Sequence, residues 1–315
     1  MPQTFDQPTQ TTPAQTSYNG ETGGLGFRIW RRFKKHPGAV AGMAILGLLT
    51  LLALSASLSP YDPETSNIPE RFQPPSLKHP MGTDALGRDL MTRILYGGRI
   101  SLAVGLIVVV ISLSIGVPVG ALAGYYGGTL DTILMRATDA FLSLPAFLVL
   151  ILLSAILREV EAPLFERNNV LTIGLVIGIL SWMTFARVVR ATFLTLRELD
   201  FVSATRALGG SDFRIIANHI LPNSLGPIIV ECTLELGYAI IEESGLSFLG
   251  FGIQPPTPSW GNLLSNVQEN FTKYPWLAIF PGLMIFLTII SVNYIGDGLR
   301  DASDPYKVLE KVGEY

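Results

Sequence analysis

From residue 37 onward, long apolar stretches alternate with short segments that carry nearly all the charge. Pro37 to Tyr61 has no charged residue, and about 20 apolar residues in a helix cross a hydrocarbon core roughly 30 Å thick. The same reading predicts a second span within the uncharged run Ile100 to Leu130, which ends in a glycine turn at Tyr125-Tyr126-Gly127-Gly128. A third is predicted over about Leu134 to Leu157, with Pro145 inside it as a kink, and a fourth over Asn168 to Ala186. The fifth covers roughly Ser224 to Leu249 and the sixth Tyr274 to Gly296. The expected fold class is therefore all-α, a polytopic membrane protein with six transmembrane helices and both termini on one side.

The polar segments divide this frame. Residues 1–36 read as a disordered Gln, Thr, Pro, Ser and Gly-rich tail followed by a basic interfacial segment. In that segment Arg28, Arg31, Arg32, Lys34 and Lys35 alternate with Phe27, Ile29, Trp30 and Phe33, a composition suited to an anionic membrane surface. After the first span at 37–61, residues 62–99 form an external loop, and Leu90, Ile94 and Leu95 predict an interfacial helix in it. Residues 100–298 make a five-helix core, and 299–315 a tail on the inner side. Lys and Arg number 14 in the proposed inner segments and 8 in the outer ones, which follows the positive-inside tendency.

The longest patterned polar segment, Leu199 to Asn223, is the element around which the rest is arranged. Phe201, Ala204 and Leu208 share one helix face, and Gly209-Gly210 stops that helix. Ser211 is the expected N-cap of a second helix, with Asp212 favoured by its dipole, and Pro222 is expected to end it at Leu221. The fifth span is unusual in holding Glu231, Glu235, Glu242 and Glu243. Spacings of 4 and 11 put Glu231, Glu235 and Glu242 within about 40° of one another. A charge at mid-bilayer costs roughly 2.5–3.5 kcal/mol, so this face either pairs locally, lies near the membrane surface or lines a wet pathway.

A hydrophobic content of 49%, a charged content of 15% and a mean hydropathy of +0.42 exclude an ordinary soluble domain. A net charge of −3 supplies no basic field for nucleic acid. Cys232 is the single cysteine, the three histidines are scattered, and no metal motif, phosphate loop or nucleophile–base set occurs. No catalytic or metal site is expected.

Four motifs carry a family resemblance. Ser203-Ala204-Thr205, Gly209 and His219-Ile220-Leu221-Pro222 fall on the spacing of the EAA loop of ABC importer permeases, with Ser203, Thr205 and His219 as departures from its usual Glu, Ala and Ile. His79-Pro80-Met81-Gly82-Thr83-Asp84 with Leu86-Gly87-Arg88-Asp89, Gln254 to Gly261, and Gly296 to Pro305 resemble signatures of dipeptide, oligopeptide and nickel importer permeases. The resemblance implies the type I ABC importer permease fold in a bacterial cytoplasmic (inner) membrane, with both termini cytoplasmic. It implies a second homologous permease, two ATPase subunits that bind ATP and Mg, and an external substrate-binding protein as partners. This chain would bind no cofactor itself. ATPase coupling would fall to Ser203, Ala204, Thr205, Arg206, Leu208, Gly209, Leu221 and Pro222 of the 199–222 loop. Asp84, Arg88 and Asp89 either cap and pair locally or meet the binding protein. The implied cargo is a short peptide or, within the same family, a nickel chelate; an ion-coupled carrier using the glutamate face is the reading outside it.

Overall fold

The structure is a computed structural model that describes residues 25–159, 170–265, 267 and 270–303. The polar tail expected before residue 25, and the Asp304-Pro305 end of the 299–315 tail, lie outside these residues, as does the side chain of Arg28. Among the described residues the regular structure is helical, apart from one isolated bridge between Thr83 and Asp89. The helices are α1 (Leu25–Phe33), α2 (Pro37–Leu54), α3 (Leu90–Tyr126), α4 (Gly128–Leu142), α5 (Ala146–Glu159), α6 (Val170–Leu196), α7 (Asp200–Ala207), α8 (Asp212–Ile215), α9 (Leu221–Phe248), α10 (Trp260–Leu263) and α11 (Trp276–Ser303).

Among the described residues, five helical stretches are long and apolar enough to cross a membrane: Pro37–Leu58, Leu90–Tyr126, Val170–Leu196, Asp212–Phe248 and Trp276–Ser303. The pair α4 and α5, bent by 81° at a short break, is together apolar enough to count as a sixth, either as a broken span or as a re-entrant loop. The break falls at Ser143 to Pro145, because proline lacks the N–H that would carry the ladder through. What the sequence suggested as a kink is thus a corner.

Three expectations are corrected. The helix that begins at Leu90 is no separate interfacial element; it is the first turns of α3, whose 37 residues make it about 55 Å long. Gly97 and Gly98 do not break it. They let it approach Ser259 and Trp260 instead. Similarly, α6 runs past the expected end of the fourth span at Ala186 to Leu196, so Arg187 and Arg190 sit on the same helix, where they pair with Asp139 and Asp131 of α4. Finally, Pro222 does not end a helix. Residues Ile216–Ile220 form a π-turn in which the Leu221 N–H reaches back to the Ile216 carbonyl, and the wide turn accommodates the proline ring at the start of α9.

The bundle centres on α3 and α6, which pack along most of their length. Glycines make this possible. Gly116, Gly120 and Gly124 of α3, four residues apart, lie against the α6 backbone and Phe185, Val189 and Phe193, while Gly174 and Gly178 of α6 receive Ile107 and Ile111. Without a hydrophobic drive in lipid, such close backbone approach is what holds two spans together. At one end, Ala121, Tyr125, Val189 and Phe193 continue this seam into Val202, Ile215, Ile220 and Ile228, so residues 199–222 are seated on the ends of the spans. Helix α1 is at that same end. Its Phe33 is buried against Ala39 and Ala302 of α2 and α11, and Ser303 in turn lies beside Gly226.

At the opposite end residues 59–89 fold over the start of α3. Asp89 caps α3 by accepting from the Thr92 N–H at 2.8 Å, and its other oxygen meets Nδ1 of the buried His79 at 2.8 Å. His79 Nε2 lies 3.2 Å from Glu70, which is also bonded to Lys78. That lysine bond, aided by His79 and opposed by burial, holds the Glu70 carboxyl below its ordinary range. Arg88 donates to Asp84 at 2.7 Å. The acids and bases of this motif therefore cap and pair with one another.

Candidate functional site

The 199–222 segment is a two-helix handle. Helix α7 has Asp200 in its first turn and Arg206 in its last, the charge order the helix dipole favours. Its end is a Schellman motif: Gly209, at φ +81°, donates to Arg206 O at 3.0 Å, and Gly210 donates to Thr205 O at 3.0 Å. A residue with a Cβ is strained at that φ, so a glycine is needed at 209. Ser211 then caps α8 by accepting from the Arg214 N–H. Tyr125, at the end of α3, donates to Asp212 Oδ1 at 2.6 Å and accepts from Arg206 at 3.4 Å, which ties both arms of the handle to one span.

The handle has an inner and an outer face. Val202, Ile215 and Ile220 are fully buried. Ser203, Ala204, Arg206 and Gly209 are exposed, Thr205 and Leu221 are half-buried, and Pro222 is exposed on the far side of the π-turn. Leu208 is 88% and Phe213 80% exposed, two large apolar side chains held out on either side of the glycine turn. Phe213 was not among the residues singled out from the sequence; its signal is a large aromatic two residues after the helix cap Ser211, beside a polar glycine turn.

Residues 116–307, well over half of the chain, match the family model described as binding-protein-dependent transport system inner membrane component. The chain belongs to this family. Residues 25–75 match the N-terminal transmembrane domain of oligopeptide transport permease C. The chain is 42% identical over 279 residues to the dipeptide transport system permease protein DppC of Alkalihalophilus pseudofirmus, covering 88% of each chain. It is 40% identical over 279 residues to the glutathione transport system permease protein GsiD of Pectobacterium atrosepticum, covering 88% of this chain and 90% of the relative. The oligopeptide transport system permease protein OppC of Mycobacterium tuberculosis is 39% identical over 279 residues, 88% of this chain and 93% of the relative. Among solved structures, a chain of the inward-facing MetNI methionine ABC transporter matches with a TM-score of 0.52 at 19% identity, covering 66% of this chain and 94% of that one. That likeness shows the fold of a type I ABC importer permease.

In this permease the acidic face of α9 is only partly assembled into one environment. Glu235 is buried, with 5% of its surface exposed, and its Oε1 has no hydrogen-bond partner. Glu231 and Glu242 are half-buried on either side, and Tyr238, 62% exposed, adjoins the same face. Among the described residues none of the ion pairs involves these three glutamates. Glu243 differs. It is fully buried and accepts from Ser101 Oγ at 3.0 Å and Ser247 Oγ at 2.7 Å. Periodicity placed it off the acidic face; the serine one turn later, at 247, was the available sign that this carboxylate has a partner of its own.

Proposed function

We propose that this permease forms half of the translocation pathway of an ATP-driven importer of short peptides. A second homologous permease supplies the other half, an external binding protein delivers the peptide, and two ATPase subunits hold ATP and Mg and dock on the 199–222 handle. The carrying observation is the handle itself: a rigid, glycine-turned pair of helices whose inner face is fastened to α3, α6 and α9 while Leu208 and Phe213 face outward. Closure of an ATPase pair on this outer face would displace the handle, and stiff helices pass that displacement into the span packing.

Peptide as the cargo rests on relatives named for dipeptide, oligopeptide and glutathione transport. Glu235, buried with its Oε1 without a hydrogen-bond partner, together with Glu231 and Glu242 supports a wet acidic lining on α9, since a carboxylate oxygen left without a partner is not held against lipid. Orientation follows from charge: α1, carrying Arg31, Arg32, Lys34 and Lys35 next to it, shares its end of the bundle with Arg197, Arg206 and Arg214, and that end is read as cytoplasmic in a bacterial inner membrane.

The test is uptake in proteoliposomes containing both permeases, the ATPases and the binding protein, with dipeptides, longer peptides, glutathione and a nickel chelate in competition. Uptake of a short peptide only with ATP is expected. Uptake by this chain alone without ATP would instead establish an ion-coupled carrier, and ATP-driven uptake of the nickel chelate alone would replace the peptide assignment.

A further inference from the structure

Residues 212–248 form one unbroken rod, about 55 Å long, that starts in the handle and ends beneath the external surface. Near its far end stands Glu243, whose two oxygens have separate tasks. Through Oε1 it accepts from Ser247, and Ser247 Oγ accepts the Ile253 N–H at 3.0 Å. Through Oε2 it accepts from Ser101 of α3, and Ser101 Oγ accepts the Trp260 N–H at 3.2 Å. One carboxylate thus reaches, through one serine on each side, the first and the last residue of the external loop 253–260.

The loop between these two points is a closed unit. Asn262 donates to Ile253 O at 3.1 Å and Thr257 O at 2.8 Å, and with Ser259 it makes the capping box of α10. Trp260 is buried and donates from its indole to Ile94 O at 3.0 Å. Gly261 lies against the backbone of Ser244, one residue after Glu243, so close that any Cβ there would collide. Pro255 and Pro256 at the tip remain exposed. A leucine in place of Glu243 would avoid the burden of burying a carboxylate. What an apolar side chain lacks is direction: hydrogen bonds fix one register between rod and loop.

We infer that Glu243 is the positioning residue that makes the 253–260 loop move with the rod, so that a displacement of the handle is delivered to the external tip at Pro255-Pro256. This rests on the reading of residues 199–222 as the ATPase-coupled handle. The loop would then present its tip to the binding protein differently in the two states of the ATPase pair, and engagement by the binding protein would be felt at the handle in return.

The test uses the full complex in proteoliposomes with E243A, E243Q and S101A. E243A should assemble and keep basal ATPase activity within twofold of wild type, while stimulation of that activity by loaded binding protein falls tenfold or more. E243Q, which retains the shape and one acceptor, should keep at least half of the stimulation, and S101A, which releases only the Trp260 end, should fall between. Full stimulation in E243A would overturn the proposal, as would a parallel fall of assembly, basal and stimulated activity, which marks a packing role. A second measurement does not depend on any ATPase: a nitroxide at position 256 should be immobile in wild type and E243Q and mobile in E243A. Equal immobility in all three would sink the joint even if the handle couples. A handle that binds no ATPase, with the nitroxide result as expected, would overturn only the proposed function.

Discussion

Alanine at Gly120 is the sharpest probe of what holds the spans together. A Cβ built there would stand 2.8 Å from Val189 Cβ and 3.1 Å from the carbonyl carbon of Ala186, with the carbonyl oxygen nearer still. Carbon atoms prefer about 3.5–4.0 Å, so α3 and α6 would have to separate by roughly 0.7–1.2 Å. Two of those contacts are backbone, so trimming Val189 to alanine should not rescue the variant. Overpacking of this kind costs about 1–3 kcal/mol. At roughly 2–4 °C per kcal/mol for a domain of a couple of hundred residues, the melting midpoint should drop by about 2–12 °C. The matched control is Gly47→Ala in α2, whose new Cβ meets nothing within 4 Å. The assay is thermal loss of the monodisperse elution peak of a fluorescent fusion, with wild type, G120A, G47A and G120A/V189A side by side. If G120A melts within 1 °C of G47A, the glycine stripe is not the seam and the packing argument fails.

Other expectations follow from the same geometry. Gly209→Val meets no neighbour but forces a β-branched residue to φ +81°, a strain of about 1 kcal/mol or more; insertion should be normal while co-purified ATPase and ATP-driven uptake fall, with Asn218→Ala as control, and retention of both would remove the coupling role. Glu235→Gln should impair uptake more than assembly if the α9 face is wet; equal losses would mark it as structural, and unchanged uptake would exclude it from the pathway. The Glu70 carboxyl, held below its ordinary value of 4.5 chiefly by Lys78, stabilises the 59–89 fold above that value and loses this as pH falls through its lowered pKa. Hydrogen exchange of residues 68–84, corrected for intrinsic rates, should therefore rise on acidification below about pH 4.5, and less so in Lys78→Ala; identical profiles would refute the linkage. In a Cys232-free background, an externally applied impermeant thiol reagent should label cysteines at 68 and 257 but not at 210; labelling at 210 in sealed right-side-out cells would invert the assigned orientation.

How far a sequence is legible depends on whether the signal is local. The glycine pair at 209–210, the Ser211 cap and the apolar runs all act within a few residues, and the handle and the spans can be read from them. Pro222 could not be read correctly, because whether a proline stops a helix depends on the hydrogen bonding of the turn before it, and a π-turn has no clear mark in composition. The start of α3 misleads for a different reason: an amphipathic stretch giving way to an apolar one looks like two elements, although the backbone has no cause to break there. Gly116, Gly120 and Gly124 stand at an evident spacing of four, yet nothing local says that α6 receives them. Glu243 and Glu242 are neighbours of the same type; Ser247 one turn on hints at which of them is bonded, but Ser101, arriving from 142 residues away, could not be read from local sequence.

The π-turn at Ile216–Ile220 has a consequence for the phase of the whole rod. Such a turn is an α-helix with one residue too many, and one residue is 100° of rotation. The wide turn absorbs that residue, since the Leu221 N–H reaches back five positions to the Ile216 carbonyl, so the helix beyond it keeps the phase an ordinary α-turn would give. Deleting one position in this turn should close it to ordinary pitch and leave the handle pointing as it does, whereas deleting one in the regular helix after Leu221 should swing Leu208 and Phe213 by about 100° relative to Glu243. The direction of the handle is therefore sensitive to chain length along the rod except in this one turn.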